Sequence, residues 1–366
     1  PNEMLAYFFD VLNEFVLQDP AIGRKTKINL FAQPIVLETM LLPLYQSDEA
    51  SIREIVHKFF KAAFVTPETS IFPSKSDLPS EDAVRVEDSA FYKRVEEQLG
   101  RRNRTISFIA RNLNVVDDKL QRELVLELLQ LDDTLMQAFL NSTWGKLSLD
   151  PRPSFNWVRN IVFVRNLLAF TPPRLQSVVP NLAAVKIDQL SDAVLSCALP
   201  GAHALPKPLL SKGVQHFSSL VVINSLDLLS QLLERLHAVY SDAATLPNVN
   251  MEQLQETVAL KLVQRIPDVN VILHLTIGTS MEDTKQKDTH TWQPKEADWV
   301  RLKAARALVW YGKVAPQLLL GKLSVEKLIP IYSEDPSSVS LAAHVSIAKM
   351  LEAVGTSTVA WTKAEA

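Results

Sequence analysis

IREIVHKFFKAAF, residues Ile52 to Phe64, is the stretch whose reading decides the fold. Ile52, Ile55, Val56, Phe59, Phe60, Ala63 and Phe64 recur at i, i+3, i+4, i+7 and i+8, the spacing that gathers side chains on one face of a 3.6-residue helix. A face this apolar leaves water only by meeting another helix, and each large side chain buried there contributes about 1.5–3 kcal/mol. The same period returns at Leu120, Leu124 and Leu128; at Trp157, Val158, Ile161, Val162 and Leu168; at Leu226, Leu229, Leu233, Leu236 and Tyr240; and at Leu341, Val345, Ala348 and Leu351. No strand signal competes seriously with this pattern. The chain is therefore expected to be all-α.

Prolines and polar turns punctuate this pattern. Helices are expected over Glu3–Leu17, ending before Pro20; over Lys25–Phe31 and Ile35–Tyr45, split at Pro34; and over Ser51–Val65, ended by Thr66 and Pro67, because proline disfavours helical geometry in the residue before it. Further helices are expected over Val84–Leu99, Thr105–Leu113, and Asp117–Leu140 with a break at Asp132 and Asp133. Ser154 reads as the N-cap of the helix that carries Trp157. Later helices are expected near Val214–Tyr240, Met251–Ile266, Val269–Leu275, Ala297–Leu320, Val325–Tyr332 and Val339–Val354. Segments 72–82, 241–250 and 280–294 read as flexible links, and 200–208 as loose. Many helices joined by short turns favour an α-solenoid of divergent HEAT or armadillo type, with residues 1–366 as one helical-repeat domain, although no fixed repeat period is visible. Helical character begins as early as Met4, so the chain is expected to be an N-terminal fragment of a longer protein.

Composition narrows the function classes. Of 366 residues, 47% are hydrophobic and 22% charged, which is the balance of a folded globular chain. Nine glycines against twenty-one prolines argue against the glycine-rich phosphate loops of nucleotide enzymes. A formal net charge of −3 supplies no global field for nucleic acid, so any RNA contact has to be a local patch. The single cysteine, Cys197, rules out an internal disulfide framework and fits a reducing compartment; set among Leu195, Ala198 and Leu199, it reads as a small buried hydrophobe. The most apolar stretch, Phe217 to Leu233, is interrupted by Asn224, Ser225, Asp227 and Ser230 and is too polar for a bilayer span, so no membrane is expected.

Catalytic and metal signatures are absent from the sequence. It contains no G-x-S-x-G, G-x-G-x-x-G or G-x-x-x-x-G-K-[ST] pattern. The seven histidines, His57, His203, His216, His237, His274, His290 and His344, have no partner at zinc-helix spacing, and the acid pairs Glu96–Glu97 and Asp132–Asp133 point in different directions from a helix. The expectation is a non-enzymatic protein with no cofactor, no metal and no small-molecule substrate. The densest basic cluster is Arg101, Arg102 and Arg104, preceded by Lys93 and Arg94; a smaller one, Arg24, Lys25 and Lys27, stands at a helix start. Guanidinium forks suit phosphate oxygens, which makes both clusters candidate RNA contacts, although runs this short also occur on ordinary solvated turns. Arg152, Arg159 and Arg165 lie in or near one helix, but Arg159 and Arg165 are not on the same face.

Three stretches carry a resemblance. VLQDPAIGRKTKINLFAQPIVLETMLLPLY (Val16–Tyr45), IREIVHKFFKAAFVTPETSIFP (Ile52–Pro73) and QRELVLELLQLDDTLMQAFLNSTWGKLSLDPRPSFNWVRNIVFVRNLL (Gln121–Leu168) resemble the N-terminal domain of the nucleolar pre-ribosomal-associated protein family of large-subunit biogenesis. The Asp-Pro before a basic helix start, the helix-ending PETSIFP and the SLDPRPSFNW run at Ser148–Trp157 carry it most strongly. The resemblance implies a helical-repeat scaffold of the nucleus and nucleolus that acts in early 60S assembly. It also implies contact with pre-ribosomal RNA and with other assembly factors, including a DEAD-box helicase. It brings no catalytic residues, and the matched positions do not locate an RNA site. The alternative reading is a protein-only helical adaptor that binds partner helices or peptides without touching RNA.

Overall fold

Capping side chains and prolines set where the helices begin. Asp118 Oδ1 accepts the Gln121 N–H at 3.0 Å, Asn250 Oδ1 accepts the Gln253 N–H at 3.2 Å, and Ser154 Oγ accepts the Trp157 N–H at 3.3 Å, as expected for that serine. Pro34 and Pro294 each occupy the first helical position, where a missing N–H costs nothing. The structure, a computed structural model, describes residues 2–73, 89–132, 135–136, 139–140, 147–170, 175, 186–199, 207–246, 249–277, 292–319, 322 and 338–354. Among the described residues the regular structure is helical throughout and includes no strand. The chain divides into two compact units, Pro1–Trp144 and Gly145–Ala366.

In the first unit α1 (Asn2–Leu12) widens into a π-helical turn over Asn13–Leu17. α2 (Arg24–Phe31) and α3 (Pro34–Val36) come next, and a second wide turn, Leu37–Leu41, leads into α4 (Leu42–Tyr45). α5 (Ala50–Phe60) runs into a third wide turn, Lys61–Val65, and α6 (Ser89–Asn112) and α7 (Lys119–Gln130) follow among the described residues. The stripe that decides the fold is the core: Val56, Phe59, Phe60, Ala63 and Phe64 are buried. Phe59 meets Phe9 of α1 and Phe31 of α2 with ring centroids 5.1 and 5.2 Å apart, and Phe60 stacks on Tyr45 of α4 at 5.2 Å. One stripe thus gathers three other helices.

One helix is longer than expected. α6 runs unbroken through Gly100, where the residue pattern predicts a gap between two shorter helices. A glycine in a helix interior costs only about 1 kcal/mol, which the burial of Ile106, Ile109 and Ala110 outweighs.

Among its described residues the second unit holds α8 (Phe155–Phe170), α9 (Ile187–Ala198), α10 (Lys207–Val214), α11 (Ser219–Ala243), α12 (Met251–Leu262), α13 (Val269–Ile277), α14 (Pro294–Val314), a 3₁₀ turn at Pro316–Leu318 and α15 (Ser338–Val354). α11 is central and packs on α8, α9, α10 and α14; α14 in turn packs on α13 and α15. Gly213 lets α10 approach closely, since a Cβ there would collide with the Ser225 side chain of α11. The helix expected from Val214 starts instead at Ser219, after a turn that His216 Nδ1 caps by accepting the Ser218 N–H at 3.0 Å. α9 and α10 are helices that the residue pattern does not separate from their surroundings.

α15 buries a different face from the one expected. Leu341 and Val345 are 62% and 49% exposed, while Ala343, Ser346, Ile347 and Met350 are buried. α15 packs on α14, and its buried side mixes small Ala343 and Ser346 with large Ile347 and Met350. The expected link at 241–250 is partly helical, α11 reaching Ala243 and Asn250 capping α12. The expected helix Val325–Tyr332 lies outside the described residues, as do 74–82 and 280–291 of the expected links and 200–206 of the loose stretch. Among the described residues no single helix is long and apolar enough to cross a membrane. The bent pair Arg24–Phe31 and Pro34–Tyr45 meets that test together, and its Phe31, Leu37, Leu41, Leu42 and Tyr45 are buried in the core.

Arg235 of α11 ties this unit together. It is 4% exposed, and its guanidinium donates to the Leu168 carbonyl at 2.9 Å and the Cys197 carbonyl at 3.3 Å. Both carbonyls belong to last turns, of α8 and α9, where helix carbonyls lack intrahelical partners. Arg235→Met takes the guanidinium away from both and is expected to cost about 3 kcal/mol by urea denaturation. A loss below about 0.5 kcal/mol would show that the two helix ends do not depend on it.

Stability should also fall with acid. His57, His216, His237 and His344 are all held below their ordinary pKa of 6.5, first by burial and, for the first three, also by Lys61, Lys212 and Lys313 respectively. The unfolded chain therefore takes up more protons than the folded one as pH falls below about 6.5, and the stability present above that value is progressively lost. Thermal melting at about pH 5.5 is expected below that at about pH 7.5; an unchanged midpoint would contradict the depressed histidines.

Candidate nucleic-acid interface

Cations bind a phosphate backbone only where they reach solvent on a shared face, so burial sorts the expected clusters. Because α6 is continuous, Arg101, Arg102 and Arg104 do not sit on a turn. Arg101 and Arg104, three residues apart, are exposed on one side, and Arg102 points inward at 3% exposure. Its Nη2 donates to Asp132 Oδ2 at 2.8 Å and its Nη1 to the Pro73 carbonyl at 3.3 Å. Burial pulls the guanidinium below its ordinary range, and Asp132 opposes that shift. Lys27 is likewise 8% exposed, with Nζ 2.7 Å from the Leu17 carbonyl that ends the first wide turn. Arg102 and Lys27 therefore leave the expected set, because their charges are used inside the protein. Arg101, Arg104, Arg24 and Lys25 remain at the surface.

The arginines at 152, 159 and 165 resolve into separate local contacts. Arg152 pairs with Asp150 at 3.3 Å, and Arg159 lies 4.1 Å over the exposed Phe155 ring. Arg165 of α8 meets Asp227 of α11 at 2.9 Å, and Lys303 of α14 closes on the same carboxylate at 2.7 Å. That carboxylate joins three helices.

The structure brings forward a surface that the search for basic clusters misses. Along α14, Lys295, Trp299, Lys303, Arg306, Trp310 and Lys313 recur at i, i+4, i+8, i+11, i+15 and i+18, and this period keeps them on one face. The opposite side of the helix, with Ala304, Ala305, Ala307, Leu308, Tyr311 and Val314, is buried. Pro294 at the first position and the Gln293 N–H, which donates to Glu296 Oε2 at 3.3 Å, fix where the helix starts and so fix the stripe's phase. Trp299 is 46% exposed, and Lys295, Arg306 and Lys313 are exposed. Lys313 Nζ stands 4.5 Å over the half-buried Trp310 ring, and the His237 ring of α11 lies 5.8 Å from the same indole. Burial, then Lys313, hold His237 below its ordinary pKa, so at neutral pH it faces the indole as a neutral ring.

Alternating cations and indoles on a rigid rod suit single-stranded nucleic acid. Aromatic faces stack on bases at about 1–3 kcal/mol each, and the cations between them meet the phosphates. Lys303 serves mainly as the strut to Asp227, which leaves Lys295, Arg306 and Lys313 as the outward charges. The signal is present in the sequence as a K-x₃-W-x₃-K-x₂-R-x₃-W-x₂-K run. A search for adjacent basic residues cannot find it, because its cations are spread along the whole length of the helix.

Comparison with known proteins places the first part of the chain. Residues 1–160 match the family model Npa1, described as ribosome 60S biogenesis N-terminal. The match spans less than half of the chain, and it makes residues 1–160 similar to a family of 60S ribosome biogenesis. No curated protein matches the chain in sequence. Among solved structures, the crystal structure of an engineered protein aligns with 97% of this chain and 96% of its own at 13% identity, with a TM-score of 0.18, a likeness too slight to carry an argument.

The two kinds of arginine in α6 should separate on substitution. Arg102→Ala leaves Asp132 charged and buried and is expected to cost about 3–5 kcal/mol in chemical denaturation. Arg101→Ala should stay within about 0.5 kcal/mol. Equal effects would mean that the buried pair is not what distinguishes them.

Proposed function

We propose, on the premise of that family match, that the chain is a non-enzymatic scaffold of early large-subunit assembly that holds pre-ribosomal RNA and assembly factors in the nucleolus. The observation that carries the RNA part of this reading is the Lys–Trp–Lys–Arg–Trp–Lys face of α14. It provides stacking surfaces and cations at once on a chain whose net charge of −3 gives no general affinity for nucleic acid. Arg101, Arg104, Arg24 and Lys25 would serve as secondary phosphate contacts on the first unit. The helical-repeat architecture belongs to the same proposal; it draws support from the packing of α10 on α11, the helix that follows it. An assembly factor such as a DEAD-box helicase would dock on helix faces that RNA leaves uncovered.

A protein-only adaptor is the competing reading, and RNA titration separates the two. Purified protein is expected to bind a single-stranded RNA in fluorescence anisotropy with an affinity that falls with salt. Replacing Lys295, Arg306 and Lys313 with Ala should weaken binding and flatten the log–log salt slope by about 2, three phosphate contacts at about 0.7 each. Trp299→Leu with Trp310→Leu should weaken binding about tenfold or more with the slope unchanged, since stacking releases no counterions. No binding at physiological salt would favour the adaptor. Binding that Arg101→Ala with Arg104→Ala abolishes, while the α14 variants leave it intact, would move the interface to the first unit.

A further inference from the structure

α1 and the wide turn that continues it leave a large apolar face uncovered. Met4, Tyr7, Phe8 and Phe15 are 78%, 71%, 43% and 61% exposed, and half-buried Val11 fills the gap between them. Positions 4, 7, 8 and 11 keep the α-helical period, and Phe15, one turn on in the wide turn, extends the same stripe. It is not the face with which α1 folds. Phe9 and Leu17, 3% and 2% exposed, point the other way, Phe9 onto the Phe59 ring. The exposed stripe is thus a second apolar face on a helix that has already filled its first.

A charged row marks what the stripe accepts. Glu3, Asp10 and Glu14 are all exposed and recur at i, i+7 and i+11, which aligns them along the flank of the stripe away from the core. No lysine, arginine or histidine occurs between Asn2 and Gln18 to offset them. We propose that this face docks an amphipathic helix of a partner protein whose apolar stripe is edged by lysine or arginine, in the manner of a helix laid against a helix. A second copy of the chain is the wrong occupant, because two such faces would bring six carboxylates together and residues 2–18 hold no cation to offset them. An anionic lipid surface is wrong for the same reason. Matching charge sets the partner's orientation and speeds its encounter, while the aromatic stripe supplies the buried area. This docking is independent of the RNA reading of α14, so either can fail alone.

The test uses two synthetic peptides of about 18 residues, long enough for a stable amphipathic helix. Both carry leucine at i, i+3, i+4 and i+7; one has lysine along its polar edge and the other glutamate. Titrated against the full chain by isothermal calorimetry, the lysine peptide is expected to bind at least about tenfold more tightly, the size of three exposed charge pairs. Tyr7→Ser with Phe15→Ser should abolish binding. Glu3→Lys, Asp10→Lys and Glu14→Lys together should reverse the preference toward the glutamate peptide, and circular dichroism should report unchanged helicity for each variant because all these side chains are exposed. Equal binding of the two peptides, or lysine-peptide binding that survives both variants, overturns the proposal. So does a dimer in sedimentation that Tyr7→Ser with Phe15→Ser dissociates, since that would assign the face to a second copy.

Discussion

The second unit depends on one buried cation. Arg235 sits two-thirds of the way along α11 and donates to carbonyls in the last turns of α8 and α9. Helix ends carry unpaired carbonyls and the negative pole of the helix dipole, so a guanidinium between two of them satisfies hydrogen bonding and electrostatics together. Leu226, Leu229, Leu233 and Leu236 then give α11 the apolar surface on which its neighbours pack. The stripe on α14 inherits its position from this arrangement, because α14 lies on α11 and is pinned there by Lys303 on Asp227.

The first unit solves its packing with aromatic rings. Phe59 and Phe60, adjacent on α5, reach in different directions, to Phe9 and Phe31 on one side and to Tyr45 on the other. Three wide turns, at Asn13–Leu17, Leu37–Leu41 and Lys61–Val65, each add part of a residue to a helical turn and rotate the residues after them about the helix axis. Leu17, Leu37, Leu41, Ala63 and Phe64 are buried in these turns, so the phase shift places core residues rather than loosening the helices.

Charge in this protein divides between internal and external work, and the division explains which part of the candidate site was legible. Arg101, Arg102 and Arg104 are three equivalent letters in sequence, yet Asp132 takes the middle one into the interior. Lys27 looks like its neighbours Arg24 and Lys25, yet it reaches the end of α1's wide turn at the Leu17 carbonyl. Density of positive letters is a poor guide because it ignores helical phase. Periodicity read for apolar residues locates α5, α7, α8 and α11 well; the same periodicity read for cations and tryptophans together would expose the α14 face. In α15 periodicity finds the helix and picks the wrong side, since both faces carry apolar residues and only the neighbour decides between them.

The sequence by itself determined the all-helical class, many helix starts through proline and capping side chains, the core stripe of α5, and the resemblance over the first part of the chain. These properties rest on local spacing and local hydrogen bonding, which a linear chain carries in full. Tertiary structure alone decided that α6 continues through Gly100, that Arg102, Lys27 and Arg235 spend their charges inside, that α15 turns Ala343 rather than Leu341 inward, and that α1 leaves a second apolar face exposed. Each of those outcomes turns on a group distant in sequence, such as Asp132 for Arg102 or Leu168 and Cys197 for Arg235. The energy of a buried charge or a packed face is set by the groups that lie opposite it in space.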